Sequence, residues 1–273
     1  RTVVGCVATA MAQVLKYWEY PITGNGSHSY THTHGVQSAN FANTTYDWAN
    51  MPLELTASSS DVQKAAVAQL MYHCGVSVEM DYGVASTGGS GAFTISSKSN
   101  STHCAEYALR EYWGYKPTLQ GLQKSKYSDK DWKTMLKDDL KAGRPIIYSG
   151  YGDGGHCFVC DGYNEDEYFH FNWGWGGLYD GFFLLNALAP GTGGTGSGGG
   201  TYNNDQQAIF GLEPLKSLDN DEAAKDLQLA STISISSSEI AYKEGFSVSA
   251  SVKNTGSANF DGELGLALYD SGL

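Results

Sequence analysis

The chain has 273 residues, 41% hydrophobic and 17% charged, which is enough apolar material for one large core or two ordinary ones. Seventeen basic against 29 acidic residues give a net charge of -12 spread along the sequence, a balance that repels phosphate backbones and argues against nucleic acid as a partner. No stretch approaches the roughly 20 consecutive apolar residues that a membrane-spanning helix needs.

The opening RTVVGCVATA has no charged leader ahead of an apolar run, so it is not a signal peptide. Either an upstream signal and pro-segment have been removed, or the sequence starts inside a larger protein. From Val7, the residues Val7, Ala10, Met11, Val14, Leu15 and Trp18 fall at helical spacing, and Pro21 closes the segment. The polar stretch 23–50 reads as loop with short strands, its His28, His32 and His34 solvated. SDVQKAAVAQLMYHCG predicts a second helix, with Ser60 as N-cap and Gly75 as C-cap. MDYGVASTGGSGAF is a glycine- and serine-rich loop, and STHCAEYALREYWGY predicts a third helix. A fourth is predicted in SDKDWKTMLKDDLKAG, capped by Ser128 and stopped by Gly143.

After Pro145 the texture changes. PIIYSGY, HCFVCDGY, YFHFNWG and DGFFLLNAL are short β-rich runs broken by Gly, Asp and Asn. The low-complexity GTGGTGSGGG would pass for a linker, but DQQAIFGLEPL after it reads as one more strand of the same sheet. A mobile, functional loop inside a domain is therefore expected there. Beyond the polar connector LDNDEAAKD, which begins near Ser217, LQLASTISISSSEIAY, FSVSASVKNTG and GELGLALYDSGL alternate apolar and polar residues at period two, the pattern of an antiparallel sandwich. About four strands fit, fewer than the roughly seven of a closed immunoglobulin-like sandwich, so this second domain is expected to be incomplete.

Five cysteines make an odd count, too few and too scattered for a disulfide scaffold. Cys6 stands behind Gly5 at the start of the first helix, where unpaired N–H groups and the helix dipole favour a thiolate. Ala8, Thr9 and Ala10 leave space around it, and its own N–H is a candidate oxyanion donor. His156 is the candidate base, because it combines a glycine approach with a following strand; His73 and His103 each precede a cysteine in a predicted helix, and His170 lies within a strand. NWGWGG follows, and either the Asn172 side chain or the Trp173 backbone can hold the other imidazole nitrogen, with Trp173 and Trp175 shielding that bond. Metal ligation is the rival use of these residues. Cys157 and Cys160 of CFVC point to opposite faces of an extended run, and no second ligand pair has zinc spacing, so no metal is expected. Cys74, Cys104, Cys157 and Cys160 read as small buried hydrophobes. GTGGTG lacks the flanking strand and helix of a dinucleotide site, and no cofactor is implied.

The stretches GCVATAMAQVLKYWEYP, GGHCFVCDGY and NWGWGGLYDGFF, in that order and with QLMYHCGVSVEMDYG between the first two, resemble the streptopain and interpain family of secreted bacterial cysteine peptidases from about Gly5 to Leu215. The resemblance implies an α+β fold, with a papain-like peptidase domain over residues 1–216. Only RTVVG precedes Cys6, so the N-terminal part of that domain is expected to be missing. The start of an immunoglobulin-like sandwich would follow over 217–273. It further implies Cys6 as nucleophile and His156 as its dyad partner. Trp173 stands where papain-type enzymes orient the histidine with an asparagine, so its carbonyl becomes the first candidate for that role and Asn172 the second. Trp175 would cover the site. Met80, Gly83 and Ser86 of the glycine-rich loop, with Tyr151, would line an apolar substrate pocket, and GTGGTGSGGG would be the mobile loop beside it. Its partners would be protein and peptide substrates and the protein's own N-terminal pro-domain, which displaces the histidine until removed. The location would be extracellular or at the bacterial surface. One departure is visible: the streptopain pattern carries a glutamine donor in the strand before the histidine, and Ser149 stands there. Oxyanion stabilisation then falls on the Cys6 N–H, or on Ser149 through water. The rival readings are a cell-wall peptide hydrolase and a protease-like adhesion or binding module whose chemistry has lapsed; the presence of both Cys6 and His156 argues against the latter.

Overall fold

The computed structural model describes residues 2–99, 101–152, 154–191, 200–215, 227–229, 234–236 and 247–254. Gly5, at φ +96°, turns the chain into α1 (Cys6–Trp18), whose buried stripe Val7, Ala10, Met11, Val14 and Leu15 has the spacing read from the sequence. A two-stranded hairpin, β1 (Ser27–His32) and β2 (Gly35–Asn40), follows. Next comes α2 (Asp61–Ser77), where Ser60 accepts from the Gln63 N–H and Gln63 answers with a bond to the Ser60 N–H. This helix runs through Gly75 to Ser77 rather than stopping at the glycine. A Cβ at position 75 would collide with the Tyr82 phenol, so the glycine serves a close approach and not a cap.

Helices α3 (Ala105–Glu111) and α4 (Asp129–Lys141) flank β3 (Gln120–Gln123), a strand whose QGLQ carries no alternation to announce it. Ser128 caps α4 by accepting from the Asp131 N–H, and Gly143 beyond it takes φ +72°, as its position predicts. The remaining strands are β4 (Ile146–Tyr151), β5 (Gly155–Tyr163), β6 (Phe169–Asn172), β7 (Gly181–Phe183) and β8 (Asn204–Phe210). They join β3 in a six-stranded antiparallel sheet ordered β3-β8-β4-β5-β6-β7. DQQAIF therefore lies in a strand of the same sheet, between β3 and β4. Residues 192–199 of the glycine-rich run lie outside the described residues.

Strand alternation divides the apolar residues between the two faces. Ile147, Cys157, Val159 and Ile209 face one core with α1 and α2. Ile146, Tyr148, Phe158, Cys160, Ala208 and Phe210 face another with Trp132 and Leu136 of α4. Cys157 and Cys160 thus take opposite faces, as an extended CFVC requires. Trp132 is fully buried and donates its indole N–H to the Tyr148 hydroxyl at 3.0 Å.

The chain divides into two compact units, Arg1–Leu215 and Lys216–Ser271. In the second, β9 (Leu227–Leu229) pairs with β12 (Val252–Asn254) and β10 (Ser234–Ile235) with β11 (Val248–Ser249), both antiparallel. The rest of the predicted sandwich lies outside the described residues. No helix among the described residues is long and apolar enough to cross a membrane.

Trp132→Ala should remove about 3–5 kcal/mol from the first unit, the cost of emptying a large buried aromatic site. Urea unfolding followed by fluorescence checks this; a loss below about 1 kcal/mol would mean the α4 face is not a packed core.

Candidate active site

A cleft of about 750 Å³ opens between the start of α1 and the upper ends of β4, β5 and β8. Cys6, Ser149, Tyr151, His156, Cys157 and Gln207 line it. Cys6 is half-buried at the first position of α1, and the backbone N–H groups of Cys157, Val7 and Cys6 itself favour its thiolate. Gly5 must be glycine on two counts: its φ of +96°, and an added Cβ that would sit 2.6 Å from the Met80 sulfur.

His156, near the start of β5, is 9% exposed. Its Nε2 lies 2.8 Å from the Trp173 carbonyl oxygen. A carbonyl only accepts, so Nε2 carries the proton and Nδ1 is left as the basic nitrogen. Trp175 stacks on the imidazole at 4.8 Å and 24°, and Tyr202 lies 5.1 Å away. Trp173 itself is fully buried and donates its backbone N–H to Asp180 Oδ1 at 2.9 Å.

Asn172 does not touch the imidazole. Its Oδ1 accepts from Gln13 Nε2 and from the Gly174 N–H, each at 2.9 Å, so it ties the Trp173 turn back to α1. At Gly174, an added Cβ would sit 3.0 Å from Thr9 of that helix. Gln13 and Asp180 were not picked out from the sequence. Gln13 stands seven residues, two helical turns, beyond Cys6 on the same helix face, and that spacing is the signal for it.

Electrostatics changes one expectation. Burial pushes the Cys6 thiol up, against the lowering by the three N–H groups around it, so the helix start does not by itself yield a thiolate. His156 is driven down to about 4 by burial, which outweighs its bond to the Trp173 carbonyl. Each group alone is neutral at pH 7. A thiolate–imidazolium pair requires that each stabilise the other's charge.

The pocket wall also departs from expectation. Tyr151 is 47% exposed and lines the cleft. Met80 is fully buried beneath Gly5, while Gly83 and Ser86 lie off the cleft; the later part of that loop, from Gly88 and Ser90 to Thr94, forms the wall instead. The reason is the pairing of Asp81 with Gly91, which folds the first half of the loop behind the second. Ser149 is 4% exposed, with no hydrogen-bond partner for its Oγ among the described residues.

His28 is half-buried rather than solvated, and both its Nε2 and the Nδ1 of His103 approach Oε1 of Glu79, a residue of the cleft, at 3.1 and 3.3 Å. These three residues bring ligand atoms within 4.8 Å of one another. Their imidazoles, however, stack at 4.0 Å and 22°, so a cation between them would lie far out of both ring planes, where nitrogen lone pairs do not point. The geometry is that of a hydrogen-bonded cluster. All five cysteines are free.

Cys6 at a helix start and His156, its ring bonded to a backbone carbonyl, line one cleft, and these are the residue types that a cysteine peptidase uses. The Peptidase C10 family model matches residues 1–183, and the chain belongs to that family. It is 41% identical over 215 residues to the thiol protease/hemagglutinin PrtT of Porphyromonas gingivalis, covering 77% of this chain and 23% of that protein. To streptopain of Streptococcus pyogenes it is 38% identical over 220 residues, covering 77% and 52%. The chain thus spans about half the length of streptopain and about a quarter of PrtT. Active interpain A of Prevotella intermedia, a cysteine protease, superposes with a TM-score of 0.68 at 37% identity, over 78% of this chain and 85% of that one. A prointerpain A fragment gives a TM-score of 0.65.

Two outcomes are expected. Asn172→Ala should cost about 1–3 kcal/mol, since it leaves the Gln13 amide and the Gly174 N–H without their acceptor; thermal or urea unfolding measures it, and an unchanged midpoint would show that the Gln13 tie does not hold. Secondly, His156 is neutral in the fold and protonates at its ordinary 6.5 when unfolded, so stability is full above pH 6.5 and falls as pH drops towards about 4. The loss is at most about 3 kcal/mol. Unfolding midpoints of the parent and His156→Gln at pH 7 and 4 test this; equal acid sensitivity in the two would refute it.

Proposed function

We propose that this chain carries the catalytic part of a secreted bacterial cysteine endopeptidase, made as a zymogen and acting on extracellular proteins. The observation that carries the reading is the bond from His156 Nε2–H to the Trp173 carbonyl, in the cleft that also holds Cys6. That bond commits the opposite nitrogen, Nδ1, to the proton of a partner. The Cys6 thiol proton passes to Nδ1, and the sulfur attacks the scissile carbonyl carbon, whose oxygen becomes an oxyanion held by the Cys6 N–H. As the C–N bond breaks, His156 returns the proton to the leaving amine, leaving a thioester on Cys6. Water, deprotonated by His156, then releases the acid and restores the thiol.

Trp175 stacked on the imidazole shields the charge that develops there. Tyr151 and the Gly88–Thr94 wall offer small and apolar surface to a substrate side chain. A pro-domain as inhibitor rests on the family and on the existence of a prointerpain form of the interpain relative. A reducing agent keeps Cys6 in its thiol state. For residues 217–273, the period-two alternation and the antiparallel pairs β9–β12 and β10–β11 support the beginning of an immunoglobulin-like sandwich.

Casein hydrolysis with dithiothreitol should be lost at least ~10³-fold in both Cys6→Ala and His156→Ala, each about as damaging as the pair together. Cleavage surviving in Cys6→Ala would end the proposal.

A further inference from the structure

Strand register places three side chains in one row on the α1 face of the sheet. Ser149 of β4 stands directly opposite Cys157 of β5 on one side and Gln207 of β8 on the other. Directly opposed residues share a face. The neighbouring row, Ile147 with Val159 and Ile209, belongs to the core that contains α1. Cys6 lines the same cleft as this row, and the Cys157 N–H is among the groups that favour its thiolate. All three members of the row line the cleft.

Gln207 is 4% exposed, an unusual place for a long amide unless it has work there. Its Nε2 donates to the Asp205 carbonyl at 3.3 Å, a long bond that engages one of two N–H groups. Beside it the buried Ser149 Oγ has no hydrogen-bond partner among the described residues, and both side chains line the cleft. A glutamine side chain is long enough to cross one strand spacing, about 4.8 Å, and serine is small enough to be crossed.

We propose that Gln207 is a catalytic residue whose Nε2–H donates to the oxyanion from the β8 side, opposite the Cys6 N–H. The strand before the histidine offers only a serine hydroxyl at this level, and the amide donor comes from the adjacent strand instead. This rests on the peptidase reading above. No proton is transferred: the amide donates to the oxygen as negative charge builds on it and releases it when the C–N bond breaks.

Three variants of the reduced, active protein test it: Gln207→Leu, which keeps bulk without a donor; Gln207→Ala; and the exchange Ser149→Gln/Gln207→Ser. The readouts are kcat and KM on a peptide, affinity for a peptide aldehyde that forms a tetrahedral adduct on Cys6, and the rate of Cys6 alkylation by iodoacetamide, which forms no oxyanion. Both single variants should lose roughly 10²–10³ in kcat with KM little changed, and aldehyde affinity should fall in step. Alkylation should keep its parental rate, and the exchange variant should recover most of the lost kcat. Parental kcat and aldehyde affinity in Gln207→Leu would overturn this inference alone; so would alkylation falling in parallel with kcat, since that marks general damage to the site. A parent that neither cleaves peptide nor takes up the aldehyde would overturn the peptidase reading, and this inference with it.

Discussion

The site depends on one hydrogen bond, from the imidazole of His156 to the carbonyl of Trp173. A neutral imidazole has one donor and one acceptor nitrogen, and giving the donor to a backbone oxygen decides which is which. A backbone acceptor also differs from a side-chain one. It moves only if the chain moves, so its aim depends on whatever fixes the Trp173 turn. Here that is Asp180 holding the Trp173 N–H, Asn172 holding Gln13, and the contact of Gly174 with Thr9. The last two reach into α1, the helix that carries Cys6. Thiol and imidazole thus sit at two ends of one hydrogen-bonded assembly, and neither is placed by its local sequence alone.

Burial sets the electrostatic character of the pair. Three N–H groups around the Cys6 sulfur favour a thiolate, yet desolvation wins and raises the thiol, while the same desolvation lowers His156. Two groups each biased towards neutrality form an ion pair only through each other. Under the proposed function, burial leaves both groups neutral until each meets the other's charge. Trp175, stacked on the imidazole, and Tyr202, tilted beside it, contribute to that burial.

Much of this was legible along the chain because it is local. Helical spacing in α1, the Ser60 and Ser128 caps, and the β-rich runs of β4, β5 and β8 depend on neighbours within a few residues. The placement of Cys6 at a helix start and of His156 near the start of a strand was legible from the glycines before them, and the structure brings both to one cleft. Gly75 misled because a glycine late in a helix has two uses, and only the position of Tyr82 tells a cap from a close approach. Met80, Gly83 and Ser86 misled for a related reason: the bridge between Asp81 and Gly91 turns the loop over, and composition carries no sign of which half faces the cleft.

The sequence by itself determined the family resemblance, the helix that presents Cys6 and the strand that presents His156. Those follow from residue type and short-range period. Tertiary structure decided between the two candidates the sequence left for the imidazole, the Trp173 carbonyl and the Asn172 amide, and it alone decided that Asn172 serves α1 and that Gln207 stands beside Ser149. Each of these is a pairing between residues 17 to 159 positions apart, or a register between strands from distant parts of the chain. Such pairings arise from which faces pack and in what register, and a shift of one residue in any strand would send the side chain to the opposite face.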